Sequence, residues 1–294
     1  MDEQQAAADE LAARFETHRA TLRGVAYRLL GSLAEADDAV QEAWFRLSRA
    51  DAGAITSLEA WLRTTVARIC LDMLRTRAVR REEPLDGRPP AAVAGDGPEQ
   101  EAVLVDAVGR AMLVVLDTLA PAERVAFVLH DLFSVPFRQI GPILDRNEAA
   151  TKQLASRARR RVRGVPAVPA TELARQRPVV EAFLAATRDG DLGALLAVLA
   201  PDVVRRADVA LVGPGRATEL RGAGRVGREM AVFGGRSRYA APALVNGTVG
   251  AVVAPRGRLL LVIAMTVAGD RVAGYELIAD PARLGQVELA VLDA

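Results

Sequence analysis

The chain of 294 residues holds one cysteine, two histidines and few aromatics (4%), and each scarcity removes a class of function. One Cys cannot close a disulfide within the chain, which suits a reducing setting. Two His with one Cys supply too few ligands for a zinc site, so no metal is expected. The longest apolar run, Leu259 to Met265, falls far short of the roughly 20 residues of a membrane helix. The first ten residues, MDEQQAAADE, lack the basic-then-apolar order of a secretory signal. The expectation is a cytoplasmic protein with no membrane partner. Neither sign of charge dominates either. A balance of 38 basic against 37 acidic residues excludes a uniformly basic coat, so any polyanion site must be a local cluster.

What is present points to folded domains. Hydrophobic residues make up 51% and charged residues 26%, far from the composition of disordered chains, and the length suits about two folded units, or three if some are small. From Glu10 to about Arg81 apolar residues recur three and four apart, which predicts several helices. The stretch EEPLDGRPPAAVAGDGPEQE then concentrates Pro, Gly and acid with almost nothing to bury, and reads as a tether. A second helical block ends near Arg163, and GVPAVPAT forms a shorter joint. After further helical patterns at 175–188 and 191–199, the β-rich segments VNGTVGAVVAP, RLLLVIAMTVAG and RVAGYELIAD predict an antiparallel meander. The expected division is 8–81, a linker at 82–101, 102–164, a short linker at 165–174, and 175–291.

Three clusters carry chemistry. In LAEADDAVQEAWFRL, Ala36, Val40, Ala43, Trp44 and Leu47 form one helix face, leaving Glu35, Asp38, Gln41, Glu42 and Phe45 on the other. This is either a solvated face or a protein-docking one. In the next helix Thr56 and Glu59 fit a capping box, and Arg63, Arg68, Arg75, Arg77, Arg80 and Arg81 stand against Asp72, a charge pattern suited to a nucleic-acid backbone. Cys70 among Ile69, Leu71 and Met73 reads as buried and inert, and His18 and His130 as surface or packing residues.

The segment LAPAERVAFVLHDLFSVPFRQIGPILDRNEAATKQLASRARRRVRG predicts a helix-turn-helix, with Asn147 capping its basic last helix. Small and polar residues at 149–153 would face base edges, and the arginines beyond them would hold phosphates.

Taken together, DDAVQEAWFRL, AWLRTTVARICLDMLR and the helix-turn-helix segment resemble the extracytoplasmic-function (ECF) sigma factors, covering roughly residues 10–163. The tail, with VVEAFLAATRDGDLGALLAVLAPDVV and RVAGYELIADPARLGQV, resembles the SnoaL-like branch of the nuclear transport factor 2 fold, as in sigma-J-like members. The fold class so implied is multidomain: two all-α sigma domains, the second a helix-turn-helix, followed by an α+β cone with a curved antiparallel sheet.

The resemblance implies an alternative sigma factor that binds core RNA polymerase and promoter DNA, without enzymatic activity or cofactor, and modulated by its own tail. It assigns Glu35, Asp38, Gln41, Glu42 and Phe45 to polymerase docking. Arg49, Thr56, Ser57, Trp61, Arg63, Arg68, Arg75 and Arg77 fall to the −10 element, and Ala149, Thr151, Lys152, Gln153, Ser156, Arg157 and Arg160 to the −35 element. Two departures from the family pattern stand out in the helix-turn-helix: Pro142 interrupts its first helix, and Asp145 stands in a turn often made by Gly. In the tail, Asp208-Val209-Ala210-Leu211-Val212 replaces a family Asp-Gly-Gly-Gly-Lys motif, and Asp208, Tyr239 and Tyr275 are candidates for a pocket or an interdomain contact. A small ligand or protein antagonist at the tail stays open. So do two alternatives, a ligand-sensing helix-turn-helix regulator and a SnoaL-like cyclase or isomerase fused to DNA-binding domains.

Overall fold

The computed structural model describes residues 2–82, 109–212 and 217–292. The tether expected at 82–101 lies outside them except for its first residue. The chain forms two compact units, one from residues 2–82 and 116–159, the other from 109–115 and 160–292.

The first unit opens with α1 (Asp2–Leu30), α2 (Leu33–Leu47) and α3 (Leu58–Glu82) packed on one another. Gly31 ends α1 in the left-handed region, φ 72°, where a side chain would be strained. Ser32 then caps α2, its Oγ accepting the Glu35 N–H at 3.4 Å. Leu22, Val25 and Leu29 of α1, Ala36, Val40, Ala43 and Leu47 of α2, and Leu62, Val66 and Ile69 of α3 form the core. Their three-and-four spacing is the pattern expected of amphipathic helices, and each fully buried Leu or Val contributes roughly 1.5–3 kcal/mol. The cap of α3 is Ser57, whose Oγ accepts the Ala60 N–H at 3.4 Å, one residue later than the Thr56 cap expected. Cys70 is buried as expected, and burial pushes its thiol pKa up to about 12.

After α4 (Arg110–Asp117), Pro121 opens α5 (Pro121–Phe127), which widens into a π-helical turn at Val128–Leu132. The helix-turn-helix is α6 (Phe137–Leu144) and α7 (Glu148–Arg163). Pro142 does not break α6. With the helix ending two residues later, its missing N–H removes one bond and no more. Asp145 adopts the left-handed conformation, φ 54°, in place of the usual glycine, and the Arg146 N–H closes the turn on the Gly141 carbonyl at 3.0 Å. Asn147 caps α7, its Oδ1 accepting the Ala150 N–H at 2.8 Å.

In the second unit, α8 (Ala170–Asp189) begins within the joint expected at 165–174. The residues before it are pinned to the sheet by the Ala167 N–H, which donates to the Gly247 carbonyl at 2.8 Å. Next come α9 (Leu192–Val198), β1 (Leu199–Ala207), α10 (Val209–Val212), β2 (Glu219–Arg221) and α11 (Ala223–Ser237). The remaining elements are β3 (Ala240–Val245), β4 (Thr248–Val253), β5 (Leu261–Ala268), β6 (Arg271–Ile278), α12 (Pro281–Leu284) and β7 (Leu289–Ala290).

The sheet order is β2-β1-β6-β5-β4-β3-β7. The meander β3 to β6 is antiparallel as expected, but β1 joins β6 in parallel, so the sheet is mixed. Register shifts in β1 and β5 interrupt the ladder, as β-bulges that bend a sheet do. Phe183, Leu184, Leu195, Val226 and Met230 from the helices meet Val249, Ala251, Ile263, Met265 and Tyr275 from the sheet in one core.

Candidate nucleic-acid interface

On α2 the inward face is Ala36, Ala39, Val40, Ala43 and Leu47, with Trp44 half-buried against Phe15 at a ring separation of 5.1 Å. This leaves Asp38, Gln41, Glu42 and Phe45 exposed at helical spacing 0, 3, 4 and 7, a single outward stripe. Phe45 is 44% exposed, a large apolar ring open to solvent among carboxylates. Beside the stripe lies a groove of about 300 Å³ bordered by Phe15, Glu16, Arg19, Gln41 and Trp44. Glu35 departs from the group. It pairs with Arg77, which also donates to the Leu30 carbonyl at 3.0 Å, so these two residues tie α1, α2 and α3 together.

Of the residues expected at the −10 element, Arg49, Thr56 and Ser57 lie exposed on the α2–α3 connection. Along α3, Trp61 and Arg63 are half-buried and Arg68 and Arg75 exposed. Arg63 donates to Glu59 at 3.1 Å and Arg75 lies 3.6 Å from Asp72, both partly solvated pairs worth little by themselves. Arg68 also donates to the Pro142 carbonyl at 3.0 Å and Arg63 to Gln139 at 3.3 Å, whereas Arg77 is a structural tie.

The outward face of α7 carries Ala149, Lys152, Gln153, Ser156, Arg157 and Arg160, all exposed. Lys152 reaches back to Glu148 at 2.7 Å, and its hydrogen bond holds the Glu148 carboxyl below the usual range. Arg157 meets Glu123 at 3.0 Å, and Arg159 meets Asp131 at 2.6 Å.

Thr151 does not belong with these residues. It is 0% exposed, in line with Ala155, Ala158 and Val162 on the inward face, and its Oγ1 donates to the Asn147 carbonyl at 2.9 Å. The reason is Gly141 of α6, where a Cβ would lie 2.7 Å from the Arg146 carbonyl oxygen and 3.7 Å from Thr151 Oγ1. The two helices cross so closely there that the side chain at 151 must point inward. A glycine six residues before the cap at Asn147 was the available sequence signal.

Asp208, Tyr239 and Tyr275 in the tail have separate surroundings. Asp208 accepts the N–H groups of Ala279 and Asp280, both at 2.8 Å, and pairs with Arg283. Burial pushes its carboxyl up, but these donors outweigh burial and hold it below the usual carboxylate range. Tyr239 lies under the guanidiniums of Arg238 and Arg110, at 4.7 and 5.9 Å. Tyr275 is buried at 5.3 Å from the Phe183 ring, and burial pushes its phenol pKa up; its hydroxyl has no hydrogen-bond partner among the described residues.

An ion pair in the tail was not anticipated either. Arg205, 1% exposed, grips Glu229 through both nitrogens Nη2 and Nε, the closest approach being 2.6 Å. Read as a strand, the alternation of VVRRA would have placed Arg205 inward. Among the described residues, no group of His, Cys, Asp and Glu could hold a metal, and no helix is long and apolar enough to cross a membrane.

The sequence family described as Sigma-70 region 2 matches residues 14–80, and the family described as Sigma-70, region 4 matches residues 109–162. Over 253 residues the chain is 41% identical to the ECF RNA polymerase sigma factor SigJ of Mycobacterium tuberculosis, covering 82% of this chain and 80% of that protein. It is 39% identical over 204 residues to the probable ECF RNA polymerase sigma factor SigI of the same species, covering 68% of this chain and 70% of the relative. Among solved structures, the crystal structure of the M. tuberculosis extracytoplasmic function sigma factor SigJ aligns with a TM-score of 0.45 and 35% identity, covering 93% of this chain and 98% of that one.

Proposed function

The chain belongs to the ECF RNA polymerase sigma factor family, and from that membership we propose how its surfaces divide the work of initiation. As a sigma factor it binds core RNA polymerase and promoter DNA and performs no chemical step of its own. The stripe Asp38, Gln41, Glu42 and Phe45 is the polymerase grip. Arg49, Thr56, Ser57, Trp61, Arg63, Arg68 and Arg75 engage the −10 element, where basic and aromatic groups suit an unpaired strand. Ala149, Lys152, Gln153 and Ser156 read the −35 element from the major groove, and Arg157 and Arg160 hold its phosphates. Glu35, Arg77 and Thr151 support these surfaces from within. The work takes place in the cytoplasm, and the tail modulates it.

The observation that carries this reading is the outward stripe on α2 in the same chain as a basic helix-turn-helix. A regulator that binds duplex DNA alone has no use for an exposed Phe among acids on a separate helix. In the tail, Asp208 is bonded to backbone and to Arg283, which removes a candidate base from a cyclase or isomerase reading.

The test is run-off transcription with core polymerase and purified chain. Promoter-specific transcripts are expected. Replacing both Asp38 and Glu42 with Lys should weaken core binding by roughly 10- to 100-fold, about 1.4–3 kcal/mol, while duplex binding by α7 stays intact. Full transcription by that variant would refute the assignment of the grip.

A further inference from the structure

His130, one of two histidines in the chain, stands beside the reading helix in an unusual stretch of backbone. It is half-buried in the π-helical turn Val128–Leu132, which winds in more residues than an α-helical turn does. Beyond the turn Ser134 is left-handed, φ 53°, a strained conformation for a residue with a side chain, and the Val135 N–H closes back on the Leu129 carbonyl at 2.9 Å. This detour lays the His130 ring on the Phe137 ring, with 3.7 Å between centroids and 25° between planes. Phe137 opens α6, and Lys152 of the reading face lies over the same Phe137 ring at 6.0 Å. Histidine and reader meet on one aromatic side chain.

The charge-bearing nitrogen of His130 can be identified. Its Nδ1 lies 3.0 Å from the Val135 carbonyl oxygen. A carbonyl only accepts, so Nδ1 keeps its hydrogen in both charge states, and Nε2 is the nitrogen that gains or loses a proton. The two nitrogens of an imidazole point to nearly opposite sides. With Nδ1 turned to the backbone of buried Val135, Nε2 points away from it.

The surroundings favour an anion at Nε2. Glu123 of α5, Asp131 of the turn itself and Glu148 of α7 are already engaged, by Arg157 at 3.0 Å, Arg159 at 2.6 Å and Lys152 at 2.7 Å. The other cations on the elements packed here are Arg28 of α1, over Phe133 at 5.2 Å, Arg124 of α5, paired with Asp117 at 3.1 Å, and the exposed Arg138 of α6. A proton on His130 therefore adds charge where these carboxylates are already taken, while the negative face of the Phe137 ring stabilises the imidazolium. The counter-charge left to it comes from outside, and a DNA phosphate beside α7 supplies one.

We propose that protonated His130 donates from Nε2 to a phosphate of the −35 duplex, so that the grip on that element strengthens as pH falls. Histidines change charge between about pH 5 and 8, so the contact is made toward the acid end of that range and lost toward the alkaline end. The proposal rests on the reading of α7 as the −35 reader.

The test is binding of the holoenzyme to a promoter duplex that it transcribes, titrated with salt at pH 6 and at pH 8. His130→Gln cannot take the proton, and comparison with it cancels every titration in the polymerase. Relative to that variant, the parent should bind about 3- to 10-fold more tightly at pH 6, with a log–log salt slope steeper by about one, and should equal it at pH 8. His130→Arg should keep the gain at both pH values. Should His130→Gln fail to fold, parent and His130→Arg decide alone: they must converge at pH 6 and separate at pH 8.

A parent and His130→Gln that respond alike to pH and salt would overturn the contact. A stacking role alone would shift the melting temperature and leave the salt slopes equal, which overturns it too. Gln153→Ala in the same assay tests the reading beneath: unchanged base preference at the −35 element would sink that reading and the contact together. A changed preference with no effect at His130 would overturn the contact alone.

Discussion

Replacing Gly141 with Ala adds one methyl group where α6 turns into α7. The new Cβ would lie 2.7 Å from the Arg146 carbonyl oxygen, whereas ordinary contact begins near 3.4 Å, and that oxygen is backbone fixed by the turn. Relief requires a shift of roughly half an ångström or more in a segment whose Arg146 N–H is bonded to Gly141 itself. Overpacking of this kind costs about 1–3 kcal/mol. Gly141 is helical and has no positive φ, so Ala also gains up to about 1 kcal/mol of helix propensity. The net expectation is a loss of about 0.5–2 kcal/mol.

Gly24→Ala is the matched control. There the neighbour is the tip of the flexible Arg28 side chain at 3.3 Å, so the propensity gain should prevail and the variant should be more stable by a few tenths to about 1 kcal/mol. Thermal melts of the full chain give the two signs, and amide exchange across residues 137–151 locates the first effect in the turn. Because α7 is re-aimed, Gly141→Ala should also impair transcription from promoters that depend on the −35 element while leaving core binding intact. A Gly141→Ala protein as stable as its parent, with exchange in the turn unchanged, would refute the idea that the close crossing dictates the turn and the burial of Thr151.

Further expectations follow from other sites. Arg205→Leu leaves Glu229 without its partner in the tail core and should cost about 3–5 kcal/mol, measured as lost thermal stability of the tail, with run-off transcription altered as a consequence. Asp208 is held below its ordinary value, so it stabilises the folded tail above the pKa it has when unfolded, and that contribution fades as pH falls through its lower folded value. Denaturation followed from pH 7 down to 2 should accordingly show less acid sensitivity in Asp208→Asn than in the parent. Cys70, with its thiol pKa pushed up to about 12, should resist thiol reagents at pH 8 and react only in denaturant; rapid native labelling would contradict its burial. Arg160→Ala should lower the salt dependence of promoter binding by about one phosphate contact without changing base preference, whereas Gln153→Ala should change preference at the −35 element.

How much of this was legible in the sequence depended on whether a residue's environment is set locally. The stripe on α2 was readable because a helix repeats every 3.6 residues, so Ala36, Val40 and Ala43 fix where Asp38, Glu42 and Phe45 must point. The cap at Asn147 and the left-handed Asp145 were readable for the same reason, since each depends on the few residues around it. Asn246-Gly247 offered an equally local signal, for both adopt positive φ and close the β3–β4 hairpin, but VNGTVGAVVAP was read as one β-rich segment, with turns placed only at Pro255-Arg256-Gly257 and Gly269-Asp270.

Side chains whose partners are distant in sequence were not legible. Thr151 is the exception, since its periodicity with Ala155 and Ala158 and the glycine at 141 were both visible, but the helix-turn-helix pattern was read over them. Arg77 and Glu35, 42 residues apart, were assigned to different surfaces by charge, and each turns out to satisfy the other. The parallel pairing of β1 with β6 joins residues about 70 apart, and no local pattern distinguishes it from an antiparallel neighbour. An arginine count therefore locates a basic helix but cannot say which of its charges are already neutralised. That distinction matters on α3, where Arg63 already donates to Gln139, Arg68 to the Pro142 carbonyl and Arg77 to the Leu30 carbonyl, so three of its guanidiniums have partners that no local pattern announces.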